Sequence, residues 1–170
     1  MLFRSTVPVL SGCAAHPVTG ERVLVGLSEQ EEINIDRRQS PHQFSTDYGA
    51  VQDESLNRYL GDLNGRLAAR SHRPNLPYSC RALNANYVNA YTFPAGSIGI
   101  TRGILLEMDN EAQLAGLLGH ELGHVNSRHS AQRAGQTMVA GAVLTGIGIA
   151  AAVSDRGGNW APVIAIGGQL

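Results

Sequence analysis

A long helix that carries two histidines on one face is the feature that most constrains the fold of this chain. Asn110 is a good N-cap residue, and the stretch from there to about Arg133 lacks proline and is rich in Leu, Ala, Glu and Gln. Apolar residues recur along one stripe and predict a buried face: Leu114, Leu117, Leu118, Leu122 and Val125. Gly116, Gly119 and Gly123 in the same helix predict that another backbone packs closely against it.

The pattern H-E-x-x-H lies on this helix, with Glu121 between His120 and His124. At about 100° per residue the two imidazoles lie one turn apart and can reach one ion. Zn²⁺ accepts neutral His nitrogens and, in catalytic sites, keeps a position open for water. Because the surrounding leucines imply burial, unpaired imidazoles would be costly there. We therefore predict zinc ligands at His120 and His124, and a catalytic base at Glu121 that takes a proton from water.

Two observations limit the ligand set. A metzincin would continue the pattern to H-E-x-x-H-x-x-G-x-x-H, but Ser127 and Ser130 occupy the last two of those positions, which excludes that class. On a continuous helix His129 lies about 140° around the axis from His124. We therefore expect His129 to point away from His124 and to stay outside the metal site.

The remaining patterns predict an α+β fold, with a small sheet packed on the central helix. Ser28 begins a capping box and predicts a helix over about 28–40, ended by Ser40-Pro41. Asp53 predicts the N-cap of a second helix that carries a leucine stripe and ends near residue 71. Residues 78–83 and 97–101 are short runs compatible with β-strands.

Composition excludes several function classes. The chain has 170 residues, 43% hydrophobic and 16% charged, which fits one globular domain. Its basic residues are all Arg and scattered, and the formal net charge is -1, so we expect no nucleic-acid partner. Two cysteines are too few for a disulfide scaffold.

The first thirteen residues end in the run Leu-Ser-Gly-Cys, whose last residue is Cys13. This run is similar to the lipobox of bacterial lipoproteins. Pro8 interrupts a short apolar core, so either translation starts upstream or the match is accidental. We predict that Cys13 is lipidated and that residues 1–24 are a truncated signal with lipobox and a linker, while 25–170 form the domain. Cys80 is then expected to be a buried free thiol.

Three segments, residues 88–105, 109–115 and 120–129, together resemble the HtpX-like and CAAX-prenyl-protease family of gluzincin zinc metalloendopeptidases, closest to its periplasmic lipoprotein members. The resemblance implies a zincin-like fold and hydrolysis of unfolded or misassembled envelope proteins in the bacterial periplasm or cell envelope. Membrane association would come from the lipid at Cys13. It also implies an edge strand above the zinc that pairs with polypeptide substrates, formed by Ser97, Ile98, Gly99, Ile100 and Thr101.

The sequence departs from that family at the third zinc ligand, a downstream Glu followed four residues later by an Asp. After Glu121 the only acidic residue is Asp155, which lies in a loop-like run and is a poor substitute. We therefore expect a domain that is incomplete at its C-terminus, and weak zinc binding and little activity from this chain alone. The alternative is a non-catalytic peptide-binding or chaperone-like module that has lost the third ligand.

Residues 134–154 contain no charged side chain and approach the length of a membrane span. Gly and Ala supply little of the transfer free energy that insertion requires, so a helix that covers the histidine helix in a folded core is favoured.

Overall fold

Residues 12–145, which the computed structural model describes, combine helices with two small sheets. The helices are α1 (Glu29–Thr46), α2 (Glu54–Ala68), α3 (Arg102–Leu106), α4 (Glu111–Asn126) and α5 (His129–Thr145). The strands are β1 (Cys13–Ala15), β2 (Arg22–Leu24), β3 (Ser79–Leu83), β4 (Ala90–Thr92) and β5 (Ser97–Thr101). The α+β prediction is confirmed.

The larger sheet has the order β3-β5-β4, with β5 parallel to β3 and antiparallel to β4. The prediction that Ser97, Ile98, Gly99, Ile100 and Thr101 form an edge strand is therefore wrong. Ile98 and Ile100 are completely buried, which suits a strand with a neighbour on each side. The edge belongs to β4, a strand of three half-buried residues that the sequence analysis does not predict.

The main core lies between α2, the larger sheet and α4. Buried leucines of α2 and α4 meet the inner faces of β3 and β5 there: Leu60, Leu63, Cys80, Ala82, Ile98, Ile100, Leu114, Leu118 and Leu122. The predicted apolar stripe of α4 is confirmed, and Asn110 accepts the hydrogen bond of the Gln113 N–H as the N-cap. The prediction of a close backbone neighbour on α4 is wrong for residues 12–145, because a Cβ added at Gly116, Gly119 or Gly123 would meet no atom within 4 Å.

Helix α1 begins at the predicted capping box of Ser28 but continues through Pro41 to Thr46, so the predicted end at Ser40 is wrong. Proline costs a helix one hydrogen bond and introduces a steric conflict. Tertiary contacts of the following residues offset that cost. The centroids of the Phe44 and Phe93 rings lie 6.0 Å apart. Asp47, which is the C-cap of the helix, is buried.

An antiparallel hairpin of β1 and β2 packs against the start of α5, in a region that the sequence analysis treats as leader and linker. Gly26 follows this hairpin, and its N–H donates to the Ala131 carbonyl at 2.8 Å. A Cβ at Gly26 would lie 2.5 Å from the Gly135 nitrogen, so the close backbone approach expected on α4 is found here. Cys13 is an exposed, free cysteine of β1.

No helix within the described part of the chain is both long and apolar enough to cross a membrane. The predicted helix that follows the histidine helix is present as α5 as far as Thr145. The rest of the charge-free stretch, 146–154, lies outside the described residues, as does Asp155.

A buried ion network joins three distant parts of the chain. The Glu32 side chain is completely buried, and its Oε2 accepts hydrogen bonds from Arg73 at 2.8 Å and from Arg128 at 3.1 Å. Arg73 also donates to the Val125 carbonyl at 2.9 Å. Since a buried charge without its partner is strongly unfavourable, this network fixes α1, the segment after α2 and the end of α4 relative to one another.

Replacing the buried carboxylate should destabilise the fold severely. We expect Glu32→Gln to lower the free energy of unfolding by about 3–5 kcal/mol, because Arg73 and Arg128 lose the buried carboxylate that they share. Glu29→Gln is the matched control, since Glu29 contacts the same Arg73 but is largely exposed, and it should cost less than about 1 kcal/mol. Urea unfolding followed by circular dichroism measures both, and equal losses would contradict the assignment.

The two cysteines should differ in reactivity. Burial raises the pKa of Cys80 to about 12, whereas Cys13 is exposed. Because the thiolate is the reactive form, we expect a thiol reagent at pH 8 to modify Cys13 alone in the native protein without a lipid, and both thiols in denaturant. Rapid modification of Cys80 in the native state would show that its surroundings are open to solvent.

Candidate metal centre

Helix α4 brings together the two histidines that the sequence predicts as ligands. The Nε2 atoms of His120 and His124 lie 3.1 Å apart, with the ring planes nearly perpendicular. Two nitrogens that bind one tetrahedral zinc at about 2.0–2.1 Å are separated by roughly 3.3 Å. The pair therefore has the spacing of two nitrogen ligands of a single ion.

Glu121 is buried and lines the same cavity as His124. Burial raises the pKa of its carboxyl group, and the nearby His120 partly opposes that shift. A carboxylate with a raised pKa accepts a proton more readily, which is the property required of a general base.

The helix ends earlier than predicted. Helix α4 stops at Asn126, Ser127 is its C-cap, and Arg128 adopts a left-handed conformation with φ of 54° before α5 begins at His129. For a residue with a side chain this conformation costs about 1 kcal/mol or more. Arg128 is held in it by hydrogen bonds to Glu32 and to the Leu27 carbonyl, the latter at 2.7 Å.

This break places His129 against His124, so the prediction that His129 points away is wrong. The two Nδ1 atoms lie 2.7 Å apart. Burial lowers the pKa of His124, and the neighbouring His129, His120 and Arg133 lower it further. The pKa of His129 is lowered in the same way, by burial first and then by Arg133, His16 and His120. Both rings are thereby favoured in the neutral form, which is the form that binds metals.

A cavity lies between this centre and the edge strand of the sheet. One wall is β4 with its flanking residues, Asn89 to Pro94, and the other comes from the end of α4 and the start of α5. Glu121, His124, His129 and Arg133 all line it. The candidate base thus faces a space that is bounded on the opposite side by an extended backbone.

The buried carboxylate of Asp47 holds strand β4 in place through a tyrosine side chain. Asp47 accepts hydrogen bonds from the Tyr87 hydroxyl, at 2.7 Å, and from the Tyr91 hydroxyl. Burial and this hydrogen bond raise the pKa of Tyr87 to about 12. Phe44 and Phe93 pack edge to face beside Tyr91. These contacts fix the strand that forms the cavity wall.

The other predicted site residues lie elsewhere. None of the β5 residues 97–101 lines the cavity, because β4 lies between them and the opening, and Cys13 is also outside it. Within residues 12–145 no group of three or more His, Cys, Asp or Glu side chains could hold a metal ion. His120 and His124 thus fit two positions of a zinc site, and the described part of the chain supplies no third protein ligand.

Comparison with known proteins identifies the family. The profile of peptidase family M48 matches residues 54–167, which include the whole of α2 to α5. The chain belongs to peptidase family M48. The histidine helix lies within the matched region of this M48 chain, as do the residues that line the cavity apart from Glu32.

Three relatives illustrate the likeness. The chain is 28% identical to the beta-barrel assembly-enhancing protease of Yersinia pestis over 130 residues, which cover 74% of this chain and 26% of the relative. The protease of the same name from Escherichia coli (strain K12) is 32% identical over 58% of this chain and 20% of the relative. The mitochondrial metalloendopeptidase OMA1 of Arabidopsis thaliana is 37% identical over 38% of this chain and 13% of its own. The M48 chain thus spans about a quarter of these relatives or less.

Sequence reasoning missed two contributors to the site. Strand β4 consists of the run Ala-Tyr-Thr before Phe93-Pro94, and its aromatic and β-branched residues are typical of a strand. His129 was missed because helical geometry was extended through Arg128. No local pattern indicates a left-handed arginine, since the contacts that hold it come from residues about a hundred positions away.

Proposed function

We propose that this chain is the catalytic region of a zinc-dependent metalloendopeptidase with a zincin-like arrangement of sheet and active-site helix. The observation that carries the proposal is the 3.1 Å approach of the His120 and His124 Nε2 atoms beside the buried Glu121, at a cavity bordered by an edge strand. Membership of family M48 supports the reaction class.

In this proposal His120 and His124 hold the zinc ion through their Nε2 atoms. When bound, zinc polarises the scissile carbonyl and lowers the pKa of water toward about 7. The Glu121 carboxylate accepts the proton from the attacking water and then delivers it to the leaving amine. Its burial supports the first of these steps, because a raised pKa makes the carboxylate a stronger base toward the attacking water.

Strand β4, in place of β5, is the element that we propose to bind substrate. The Phe93 N–H donates to Ser97 and the Asn89 carbonyl accepts from Thr101, so alternate residues of this segment face β5. Because alternate residues of a strand point their backbone groups to opposite sides, the N–H and C=O of Ala90 and Thr92 face away from the sheet. An extended polypeptide could pair with them without specific side-chain contacts, which suits unfolded segments.

We also propose that the substrates are unfolded or misassembled envelope proteins, and that the protein works in the bacterial periplasm or cell envelope. Two of the relatives carry names that describe a protease which enhances β-barrel assembly, and this supports the proposal. A lipid anchor at Cys13 stays a prediction, supported by the exposure of that cysteine.

A non-catalytic peptide-binding module is the second candidate. It is favoured by the lack of a three-ligand group among residues 12–145, because two histidines alone hold zinc weakly. Metal analysis of the purified protein, together with casein cleavage with and without chelator, separates the two functions. Peptide binding without zinc or cleavage would favour the module.

In a full-length version that supplies the third zinc ligand, Glu121→Gln should retain zinc and lose hydrolysis. We expect kcat for casein or a peptide substrate to fall about 10²- to 10⁴-fold, because the amide cannot accept a proton, while zinc content stays at the wild-type level. Glu111→Gln, at the exposed first residue of the same helix, is the matched control and should leave kcat unchanged. Hydrolysis by Glu121→Gln at the wild-type rate would refute the assignment of the base.

If the substrate backbone pairs with β4, the effect of N-methylation on KM should alternate from one substrate residue to the next. We expect N-methylation at successive residues of a peptide substrate to raise KM about five- to tenfold at every second position, since each loss removes one hydrogen bond of about 1 kcal/mol. The intervening N–H groups point away from β4, and their methylation should have little effect. A uniform effect at all positions would contradict strand pairing.

A further inference from the structure

His129 contacts the proposed ligand His124 at the nitrogen that does not face His120. His124 directs Nε2 toward His120 at 3.1 Å and Nδ1 toward His129 at 2.7 Å. The two nitrogens of one imidazole point in divergent directions, so an ion shared by His120 and His124 cannot also be bound by His129. The short Nδ1 to Nδ1 distance is that of a hydrogen bond, which requires one ring to donate and the other to accept.

The direction of this hydrogen bond follows from the role of Nε2. A ligand nitrogen must present a lone pair, so a neutral His124 that binds metal through Nε2 carries its proton on Nδ1. That proton points at Nδ1 of His129, which must then be the acceptor and carry its own proton on Nε2. Among residues 12–145, His129 is the group within hydrogen-bonding distance of this nitrogen.

We propose that His129 is a positioning residue that accepts the Nδ1–H of His124 and so holds His124 in the tautomer and ring orientation that present Nε2 to the metal. This inference rests on the proposed zinc site. Metal-binding histidines commonly donate their second ring nitrogen to a carboxylate or carbonyl acceptor, and here a neutral imidazole takes that place.

The fold delivers His129 to this position by a specific route. Arg128 turns the chain through its left-handed conformation, and Glu32 and the Leu27 carbonyl hold its guanidinium group. The two rings then meet edge to face with their centroids 5.0 Å apart. His129 is absent from the two hydrophobic clusters of the described residues, and its Nδ1 contacts the Nδ1 of His124.

Three substitutions at one position test the proposal. The Oδ1 of Asn occupies nearly the place of the histidine Nδ1, whereas the Oε1 of Gln matches Nε2 and Leu offers no acceptor. We expect His129→Leu and His129→Gln to weaken Zn²⁺ binding about 10- to 100-fold, and His129→Asn to stay within about threefold of wild type. Competition titration against a chelating dye measures the affinity for Zn²⁺ alone, and thermal unfolding checks that each variant folds.

The ring tautomer supplies a second readout that does not depend on metal. In ¹⁵N spectra of the metal-free protein, we expect His124 to carry its proton on Nδ1 in wild type and His129→Asn, and to shift toward the Nε2–H form in His129→Leu. Wild-type affinity for Zn²⁺ in His129→Leu, or an Nε2–H tautomer of His124 in the metal-free wild type, would overturn the positioning role. A wild-type protein with the expected tautomer that binds no Zn²⁺ would instead overturn the proposed metal site, and with it the purpose assigned to His129.

Discussion

The rest of the structure depends on the ion pairs that the Glu32 carboxylate forms with Arg73 and Arg128. This carboxylate is completely buried, and its Oε2 is shared by Arg73 and Arg128 from two other parts of the chain. Burial raises the pKa of Glu32, while the two guanidinium groups oppose that shift and favour the charged form. Three elements that are distant in sequence are therefore held by charges that none of them can expose or lose without a large cost.

The network also reaches the candidate metal centre. Its hydrogen bonds to the guanidinium group hold Arg128 in the left-handed conformation that separates α4, which ends at Asn126, from α5. The left-handed residue turns α5 back, so that His129 reaches His124 and the first turn of α5 forms a wall of the cavity. A structural ion network and a candidate reaction centre are thus connected through a single residue.

Local patterns in the sequence were sufficient for the elements whose causes are local. The caps at Ser28, Asp53 and Asn110 all accept the expected hydrogen bonds, because capping involves residues three apart in the chain. The proximity of the His120 and His124 rings is predictable for the same reason, since their spacing is a property of one helical turn. The passage of α1 through Pro41 could not be predicted, because the contacts that compensate for it lie on β4 and its neighbours.

The order of strands was predictable only in part. The run at 97–101 is correctly a strand, but its alternation of Ile and Gly does not reveal whether one or two strands lie beside it. That answer depends on β4, which pairs with the other side of β5 and whose Tyr91 hydroxyl donates to the buried Asp47. As a result, the backbone edge that borders the cavity is one strand away from the position that the family resemblance implies.

The contact between Gly26 and Gly135 has a consequence for protein engineering. A methyl group at Gly26 would overlap the α5 backbone, and one at Gly135 would lie 3.0 Å from the Gly26 nitrogen, so the hairpin and the helix fit only as a matched pair. A chimaera that exchanges the N-terminal hairpin with that of a homologue must carry the corresponding helix with it. The natural unit for grafting is therefore discontinuous in sequence, with its two pieces at opposite ends of the described chain.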